Sequence, residues 1–138
     1  MSACGAVVRL LVCGGRTFSN MTVMHMGILQ VCELTGERLS LCIHGDASGA
    51  DSLAQVWCDF QGVPTLRFPA KWSEIDVPGA RLRFGRHGAY NANAGPMRNQ
   101  QMLDEGKPTA WLAMPGGTGT ADMIARCRAA GLPGLAVN

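Results

Sequence analysis

The chain has 138 residues and a net charge of +2, with 47% apolar and 16% charged residues. This composition excludes an intrinsically disordered chain and is sufficient for one domain, spanning residues 1–138, with a hydrophobic core. No apolar run has the length of a membrane-spanning helix, and the N-terminus lacks the pattern of a signal peptide. We therefore expect a cytoplasmic protein with no membrane partner.

Five apolar segments are typical of buried strands, and they lie at 6–13, 39–43, 63–68, 109–114 and 135–137. Helical segments alternate with them and cover about 20–34, 96–105 and 121–130, with a fourth that ends near residue 60. Ser19-Asn20 and Ser48 are placed to cap two of these helices. The alternation predicts an α/β fold: a three-layer Rossmann-like domain with a mostly parallel five-stranded sheet and helices on both faces.

The cysteines do not indicate a metal site or a disulfide framework. No C-x-x-C pair and no Cys/His cluster with zinc spacing is present. The favoured interpretation is free thiols, most of them buried, in a reducing cytosol. The six are Cys4, Cys13, Cys32, Cys42, Cys58 and Cys127.

Residues 69–95 show no clear periodicity and are predicted to form a long loop. Half of the twelve Lys and Arg residues lie in or beside it, opposed there only by Glu74 and Asp76. They are Arg67, Lys71, Arg81, Arg83, Arg86 and Arg98. A local basic excess favours an anionic ligand, although for Arg81, Arg83 and Arg86 a solvated surface loop is an equal alternative.

The most informative motif is the Gly-Thr-rich run between the fourth strand and the last helix. A strand, a Gly-rich turn and a helix N-terminus together can hold an anion through backbone N–H groups and the helix dipole. The expected phosphate ligands are Pro115, Gly116, Gly117, Thr118, Gly119 and Thr120.

Two further turns follow strands at the same predicted edge. Gly14-Gly15-Arg16 combines an open turn with a forked donor, but its spacing is not G-x-G-x-x-G, so an ordinary NAD dehydrogenase is disfavoured. In the segment 44–51, Gly45, Ser48 and the Gly49 backbone are expected to contact phosphate, and Asp51 is expected to bind a ligand hydroxyl. Capping is the equal alternative for Asp51. His44 is either an acid/base group or, more in keeping with its position, a packed hydrogen-bonding side chain.

The start of the third helix adds Gly95, Arg98 and Asn99. An arginine in a first turn opposes the helix dipole, which favours Arg98 as a ligand clamp. Lys71-Trp72 offers a cation beside an aromatic ring that can stack on a base, with a core role for Trp72 as the alternative.

These motifs resemble the SLOG superfamily, the Rossmann-like group that includes the Lonely Guy phosphoribohydrolases and the DNA-processing protein A fold. The closest similarity is to its YspA/YpsA-related branch, also called DUF2493. The resemblance rests on 12–16, 44–51, 69–72, 95–99 and 115–123. It implies a nucleotide or nucleotide-derived ligand at the carboxyl edge of the sheet, and it suggests a homodimer.

The catalytic residues of Lonely Guy enzymes are only partly matched in this sequence. Lonely Guy enzymes carry P-G-G-x-G-T-x-x-E, whose glutamate takes part in cleaving an N-glycosidic bond, and that position is Met123 here. Asp122 is one residue earlier and points about 100° away on a helix. Arg98 matches the arginine of the Lonely Guy Arg-Lys pair, whereas the lysine position is Asn99.

Three functions therefore stand as hypotheses. The first is a cytosolic protein that binds a nucleotide or its derivative without cleaving it. The second is a nucleotide N-glycosidase, with catalytic candidates Arg98, Asp122 and Asp51 and with His44 as an acid. The third, disfavoured by the small net charge, is a single-stranded nucleic-acid binder. No cofactor is evident, and Mg²⁺ is compatible only as a companion of a phosphate ligand.

Overall fold

A computed structural model describes residues 7–138, so that Cys4 and the predicted strand residue Ala6 lie outside the described residues. The strands are β1 Val7–Cys13, β2 Arg38–His44, β3 Thr65–Arg67, β4 Leu82–Gly85, β5 Gly88–Asn91, β6 Ala110–Ala113 and β7 Gly134–Ala136. The helices are α1 Met21–Thr35, α2 Ala50–Gln61, α3 Ala94–Gly106 and α4 Thr118–Ala129.

The main sheet has five strands in the order β3-β2-β1-β6-β7, and every neighbouring pair is parallel. The chain builds outwards from β1 to β3, then crosses back so that β6 pairs with β1 on its other side. The strand order therefore reverses between β1 and β6. In open α/β sheets a ligand crevice forms at that point, outside the carboxyl ends of the strands.

Helices cover both faces of the sheet. Val8, Leu10 and Val12 of β1 face one core cluster, which α1 and α2 complete. Leu11 and Cys13 face the opposite cluster, which α3 and α4 complete. The predicted α/β, three-layer architecture is thus confirmed, and it follows from apolar residues on both sides of each central strand.

Three helix ends follow the sequence signals. Asn20 caps α1, and its Oδ1 accepts a hydrogen bond from the Val23 N–H at 3.1 Å. Gly36 and Gly62 end α1 and α2 with φ of 71° and 73°, the left-handed conformation that glycine adopts without strain.

Two other helix starts were predicted wrongly. Gly49, not Ser48, occupies the N-cap of α2, and no side chain caps that end. The helix α4 begins at Thr118 rather than near Ala121. Thr118, Gly119 and Thr120 of the Gly-Thr run are therefore in the first turn of the helix itself, and only Pro115, Gly116 and Gly117 precede it.

The segment 69–95 also differs from the predicted loop, because it contains an antiparallel hairpin of β4 and β5. The side chain of Asn91 is buried and organises the base of this hairpin. Its Oδ1 accepts from the N–H groups of Arg81 and Asn93, both at 2.9 Å. The hairpin itself is exposed except at Asn91.

Among residues 7–138, no helix combines the length and the apolar character needed to cross a membrane.

Candidate functional site

A cavity of about 670 Å³ opens at the point where the strand order reverses. Its wall comes from the turns after β1 and β2, from Trp72 and the base of the hairpin, and from the first two turns of α3 and α4. The polar and charged side chains of the wall belong to Arg16, Asp51, Arg81, Arg98, Asn99, Thr118, Thr120 and Asp122. Three arginines against two aspartates give the cavity a positive balance at neutral pH.

The N-terminus of α4 faces this cavity with unsatisfied donors. The first intrahelical bond joins the Ala121 N–H to the Gly117 carbonyl at 3.0 Å, so the N–H groups of Thr118, Gly119 and Thr120 precede the helical ladder. No side chain caps this end, and all three residues line the cavity. The helix dipole adds positive potential at the same point, which suits an anion.

Backbone hydrogen bonds join the turn after β1 to the turn after β6 and to the start of α2. The Gly15 N–H donates to the Pro115 carbonyl at 2.8 Å, and the Gly15 carbonyl accepts from the Ala50 N–H at 3.1 Å. A Cβ on Gly116 would lie 2.7 Å from the Gly15 nitrogen and would overlap the Thr120 side chain. Only glycine fits this approach.

Glycine is also required at Gly49. A Cβ there would overlap the backbone of Gly15 and Arg16, and the residue has φ of +78°. Gly49, Pro115 and Gly116, which the sequence predicted as ligand contacts, do not line the cavity, although Pro115 and Gly116 are exposed.

Arg98 is fixed in the site by three protein oxygens. Its Nη1 donates to the Gly45 carbonyl at 2.7 Å and, more weakly, to the Phe68 carbonyl at 3.4 Å, and its Nε donates to Asn99 Oδ1 at 3.1 Å. Nη2 makes no hydrogen bond to any residue in 7–138, and the side chain lines the cavity. Burial lowers the pKa of the Arg98 guanidinium, and Asp51 opposes that shift. An arginine nevertheless remains charged at neutral pH, so Arg98 offers a positioned cation with a free N–H edge.

Asp51 combines a structural role with a place in the cavity wall. Its Oδ2 accepts from the N–H groups of Gly45 and Ala47 at 3.1 and 3.2 Å, which fixes the turn after β2. Burial raises the pKa of the Asp51 carboxyl, while those two hydrogen bonds, His44 and Arg98 oppose the shift. Oδ1 accepts no hydrogen bond from the described residues, so this oxygen can meet a ligand hydroxyl.

Arg16 and Trp72 stand side by side at the rim. The Arg16 guanidinium carbon lies 6.0 Å from the centroid of the indole, at the outer limit of a cation–π contact. Both residues also line a smaller adjoining cleft of about 190 Å³, together with Gly45, Ser48 and Arg98. Trp72 is 39% exposed, so the alternative prediction, that Trp72 packs in the hydrophobic core, does not hold.

Asp122 and Asn99 form the far wall. Asp122 Oδ2 accepts from Asn99 Nδ2 at 2.9 Å and from Arg126 Nε at 2.8 Å. Burial acts to raise the pKa of Asp122, but the hydrogen bonds from Arg126 and Asn99 outweigh it and lower that pKa. Met123 points the other way, 1% exposed in the core beneath α4. The position that carries glutamate in Lonely Guy enzymes thus faces the core in this chain.

His44 does not reach the cavity. It is buried, its Nδ1 accepts from the Asp46 N–H at 3.0 Å, and its Nε2 lies 2.7 Å from Gln55 Oε1. Since Nδ1 acts as an acceptor, Nε2 carries the proton and donates to Gln55. Both ring nitrogens are engaged, so the acid/base role proposed for His44 does not fit, and the packed interpretation does.

The remaining predicted residues are placed as follows. The main cavity includes Gly14, Gly15, Gly95, Gly117 and Gly119, whereas Lys71 lines a neighbouring cleft of about 240 Å³. Arg81 was not predicted as a site residue, although it lines the cavity from the base of the hairpin. The sequence feature that could have identified it is its place in the basic cluster of the 69–95 segment.

Residues 7–138 form no metal centre, and Cys13, the cysteine that lines the cavity, is not a reactive thiol. These residues contain no cluster of three His, Cys, Asp or Glu side chains suited to a metal ion. Cys13 lines the floor, and burial strongly raises the pKa of its thiol. Burial likewise raises the pKa of Cys127 to about 11, so both thiols stay protonated and unreactive.

No curated protein matches the chain. The model of the YspA, cpYpsA-related SLOG family matches residues 8–74, which include β1, β2, β3 and the turns that follow β1 and β2. Together with the Rossmann-like sheet, this match agrees with the motifs at 12–16, 44–51 and 69–72. Residues 8–74 are thus similar to the YspA, cpYpsA-related SLOG family, and the strand order of the chain agrees with that similarity.

Proposed function

We propose that this protein binds a nucleotide or a nucleotide-derived ligand in the cavity between β1 and β6. The observation that carries the proposal is the convergence of two anion-binding elements on one space. The free N–H groups at the start of α4 and the guanidinium of Arg98 both line the same cavity of about 670 Å³. That volume lies within the range of small-molecule and cofactor sites, about 300–1,000 Å³.

The phosphate is assigned to the α4 end of the cavity. The N–H groups of Thr118, Gly119 and Thr120 provide neutral donors, and the helix dipole supports a negative charge there. Arg98 adds a charge-assisted hydrogen bond through Nη2, which is stronger than a bond between neutral groups. Arg16 and Arg81 supply further positive charge at the rim.

The base is assigned to Trp72. This ring lines both the main cavity and the adjoining cleft, and 39% of the residue remains accessible. Base-to-aromatic stacking contributes about 1–3 kcal/mol and accepts every base, since every base has a π-face. The ribose would lie between these ends, where Asp51 Oδ1 can accept from a hydroxyl.

A second candidate function, cleavage of an N-glycosidic bond, is favoured by the two carboxylates in the cavity wall. Asp122 is held ionised by Arg126 and Asn99, which suits stabilisation of an oxocarbenium-like transition state rather than proton donation. Asp51, whose pKa is raised by burial, is the better proton donor of the two. Binding remains our first proposal, because each aspartate already holds a structural hydrogen-bond pair.

Thermal-shift measurements with AMP, ADP-ribose, NAD and cyclic nucleotides test the first proposal. We expect at least one ligand to raise the melting temperature of the wild-type protein and to lose this effect in Arg98→Ala. Arg83→Ala removes the same charge from the exposed hairpin and should keep the shift. No shift with any ligand, or an equal shift in Arg98→Ala, would reject binding in this cavity.

Cleavage is tested by incubating nucleoside monophosphates with the protein and measuring the released base. Release that disappears in Asp122→Asn or in Asp51→Asn supports the second candidate. Release that persists in the double variant would show that neither carboxylate takes part in cleavage. If the wild-type protein releases no base, cleavage is rejected and the binding proposal alone stands.

A further inference from the structure

Asp51 has one carboxylate oxygen that no described residue contacts. The residue is buried, with 7% of its surface exposed, and its Oδ2 accepts from the N–H groups of Gly45 and Ala47. Its Oδ1 accepts from no residue in 7–138, although every buried side-chain nitrogen or oxygen in that range has a hydrogen-bond partner. Oδ1 is therefore not enclosed by protein and opens on the cavity, whose wall includes Asp51.

This free oxygen requires a neutral donor from the ligand. Burial raises the pKa of the Asp51 carboxyl, but the two N–H bonds to Oδ2 and the charge of Arg98 act to keep it ionised, and an ionised carboxylate only accepts hydrogen bonds. A cationic donor is disfavoured, because Arg16, Arg81 and Arg98 line the same cavity. A phosphate opposite Oδ1 would bring two negative charges together, which is costly away from water. A neutral hydroxyl meets these requirements.

The other parts of a nucleotide have places elsewhere in the cavity. Under the proposed function the phosphate lies at the first turn of α4, and the base lies against Trp72 at the rim. Asp51 lies deeper than Trp72, with 7% rather than 39% of its surface exposed. The sugar connects base and phosphate and carries the free hydroxyls of a nucleotide, so the group that meets Oδ1 is a sugar hydroxyl.

We propose that Asp51 is a specificity-determining residue, which selects nucleotides with a free sugar hydroxyl opposite Oδ1. This role rests on the proposed function and narrows its ligands to nucleotides whose sugar neither lacks that hydroxyl nor carries phosphate on it. A deoxy analogue would cover Oδ1 and leave it without a donor, which is costly for a buried charged group. A phosphate on the same hydroxyl would add a like charge instead.

Asp51→Asn separates this role from the structural role of the residue. The amide oxygen of asparagine can accept from the Gly45 and Ala47 N–H groups in place of Oδ2, which keeps the turn after β2. The amide NH₂ then lies where Oδ1 was and presents donors to the cavity. The substitution thus reverses the hydrogen-bonding polarity at one point of the wall and removes its charge.

Calorimetry with sugar-modified nucleotides tests the selectivity of wild type. The probes are AMP, GMP, CMP and UMP, their 2′-deoxy and 3′-deoxy analogues, and the corresponding 2′,5′- and 3′,5′-bisphosphates. For the monophosphate that binds most tightly, loss of one of the two hydroxyls should weaken binding by about 10- to 100-fold, as when a buried acceptor loses its donor. Phosphorylation of that same hydroxyl should weaken binding at least as much. This comparison needs no variant and so does not depend on the folding of one.

The same probes are then measured with two variants. In Asp51→Asn the penalty for the added phosphate should fall by about 10-fold or more, because a donor replaces a like charge, and the penalty for the deoxysugar should also fall. Asp59→Asn is the matched control, since it removes the same charge from an exposed position of α2 outside the cavity wall, and it should keep the wild-type ratios.

Two results would overturn the role of Asp51. One is equal affinity of wild type for the monophosphate and both of its deoxy analogues, and the other is a set of ratios that Asp51→Asn leaves unchanged. Either result would leave the proposed function standing, because the parent nucleotide still binds. A protein that binds none of the probes would reject both.

Discussion

Arg98 Nη1 donates to the carbonyl oxygen of Gly45 at 2.7 Å, and this bond joins the second turn of α3, not the first turn as the sequence predicted for Arg98, to the turn after β2. The guanidinium is thereby oriented before any ligand arrives. A positioned donor loses little conformational entropy on binding, which is the physical advantage of preorganisation.

Replacing Arg98 should therefore reduce both ligand affinity and stability. In Arg98→Ala the Gly45 carbonyl loses its partner, at a cost of about 1–3 kcal/mol in the free energy of unfolding. Arg98→Lys keeps the charge but loses the forked geometry and should bind more weakly than wild type. Calorimetry with the best ligand and chemical denaturation measure the two effects, with Arg83→Ala as the charge-matched control.

Trp72→Ala should weaken nucleotide binding by about 10- to 100-fold, because stacking contributes about 1–3 kcal/mol per base. Trp72→Phe should retain part of the affinity. Inorganic phosphate carries no base, so its binding should change little in either variant. Competition calorimetry with nucleotide and with phosphate distinguishes these cases, and an equal loss for both ligands would place the base elsewhere.

Gly116→Ala should disrupt the phosphate-binding turn. The new Cβ would lie 2.7 Å from the Gly15 nitrogen and would overlap the Thr120 side chain, so one of the two turns must move. We expect a lower melting temperature and a loss of ligand binding. Gly117→Ala is the matched control, because a Cβ there meets nothing within 4 Å, and its melting temperature should stay near that of wild type.

Met123→Glu should not create a hydrolase. Met123 is 1% exposed and packs in the cluster that contains Leu11 and Met102, so a glutamate there would be buried without a partner. We expect a loss of several kcal/mol in the free energy of unfolding, on the order of 3–5 kcal/mol for an uncompensated buried charge. Met123→Leu, which keeps the volume, should cost less than about 1.5 kcal/mol. A stable Met123→Glu variant that releases free base would contradict the orientation of α4 described above.

The two cavity aspartates should respond to pH in opposite directions. The pKa of Asp122 is lowered on folding, so its stabilising contribution is present above its unfolded pKa, about 3.9, and is lost as pH falls through the folded pKa. The pKa of Asp51 is raised on folding, so its contribution is present below about 3.9 and is lost as pH rises through the folded pKa. The unfolding free energy of wild type minus that of Asp122→Asn should therefore fall in acid, and the corresponding difference for Asp51→Asn should fall as pH rises. Urea denaturation at several pH values checks both signs.

The sequence was sufficient for the sheet and most helix bounds, because these depend on local apolar patterns and caps. Asn20 before α1 and Gly36 after it are examples. It was insufficient for the β4–β5 hairpin. That hairpin is short and exposed, and at its base the buried Asn91 accepts a hydrogen bond from Arg81, ten positions earlier in the sequence.

Contacts between residues that are not neighbours in the sequence also explain why the roles of Ser48 and His44 were predicted wrongly. Ser48 has the chemistry of a cap, yet the acceptor that orders this turn is Asp51, three residues later. The hydrogen bond between His44 and Gln55 joins the end of β2 to α2, eleven positions later in the chain, and no local sequence pattern reveals it. The orientation of Met123 into the core was open to sequence reasoning, since α4 needs apolar residues facing β6.

A structure of the protein with its tightest nucleotide tests the central claim most directly. We expect phosphate oxygens within hydrogen-bonding distance of the N–H groups of Thr118 to Thr120 and of Arg98 Nη2, with the base against Trp72. A phosphate bound away from the first turn of α4, with Arg98 making no contact to the ligand, would contradict it.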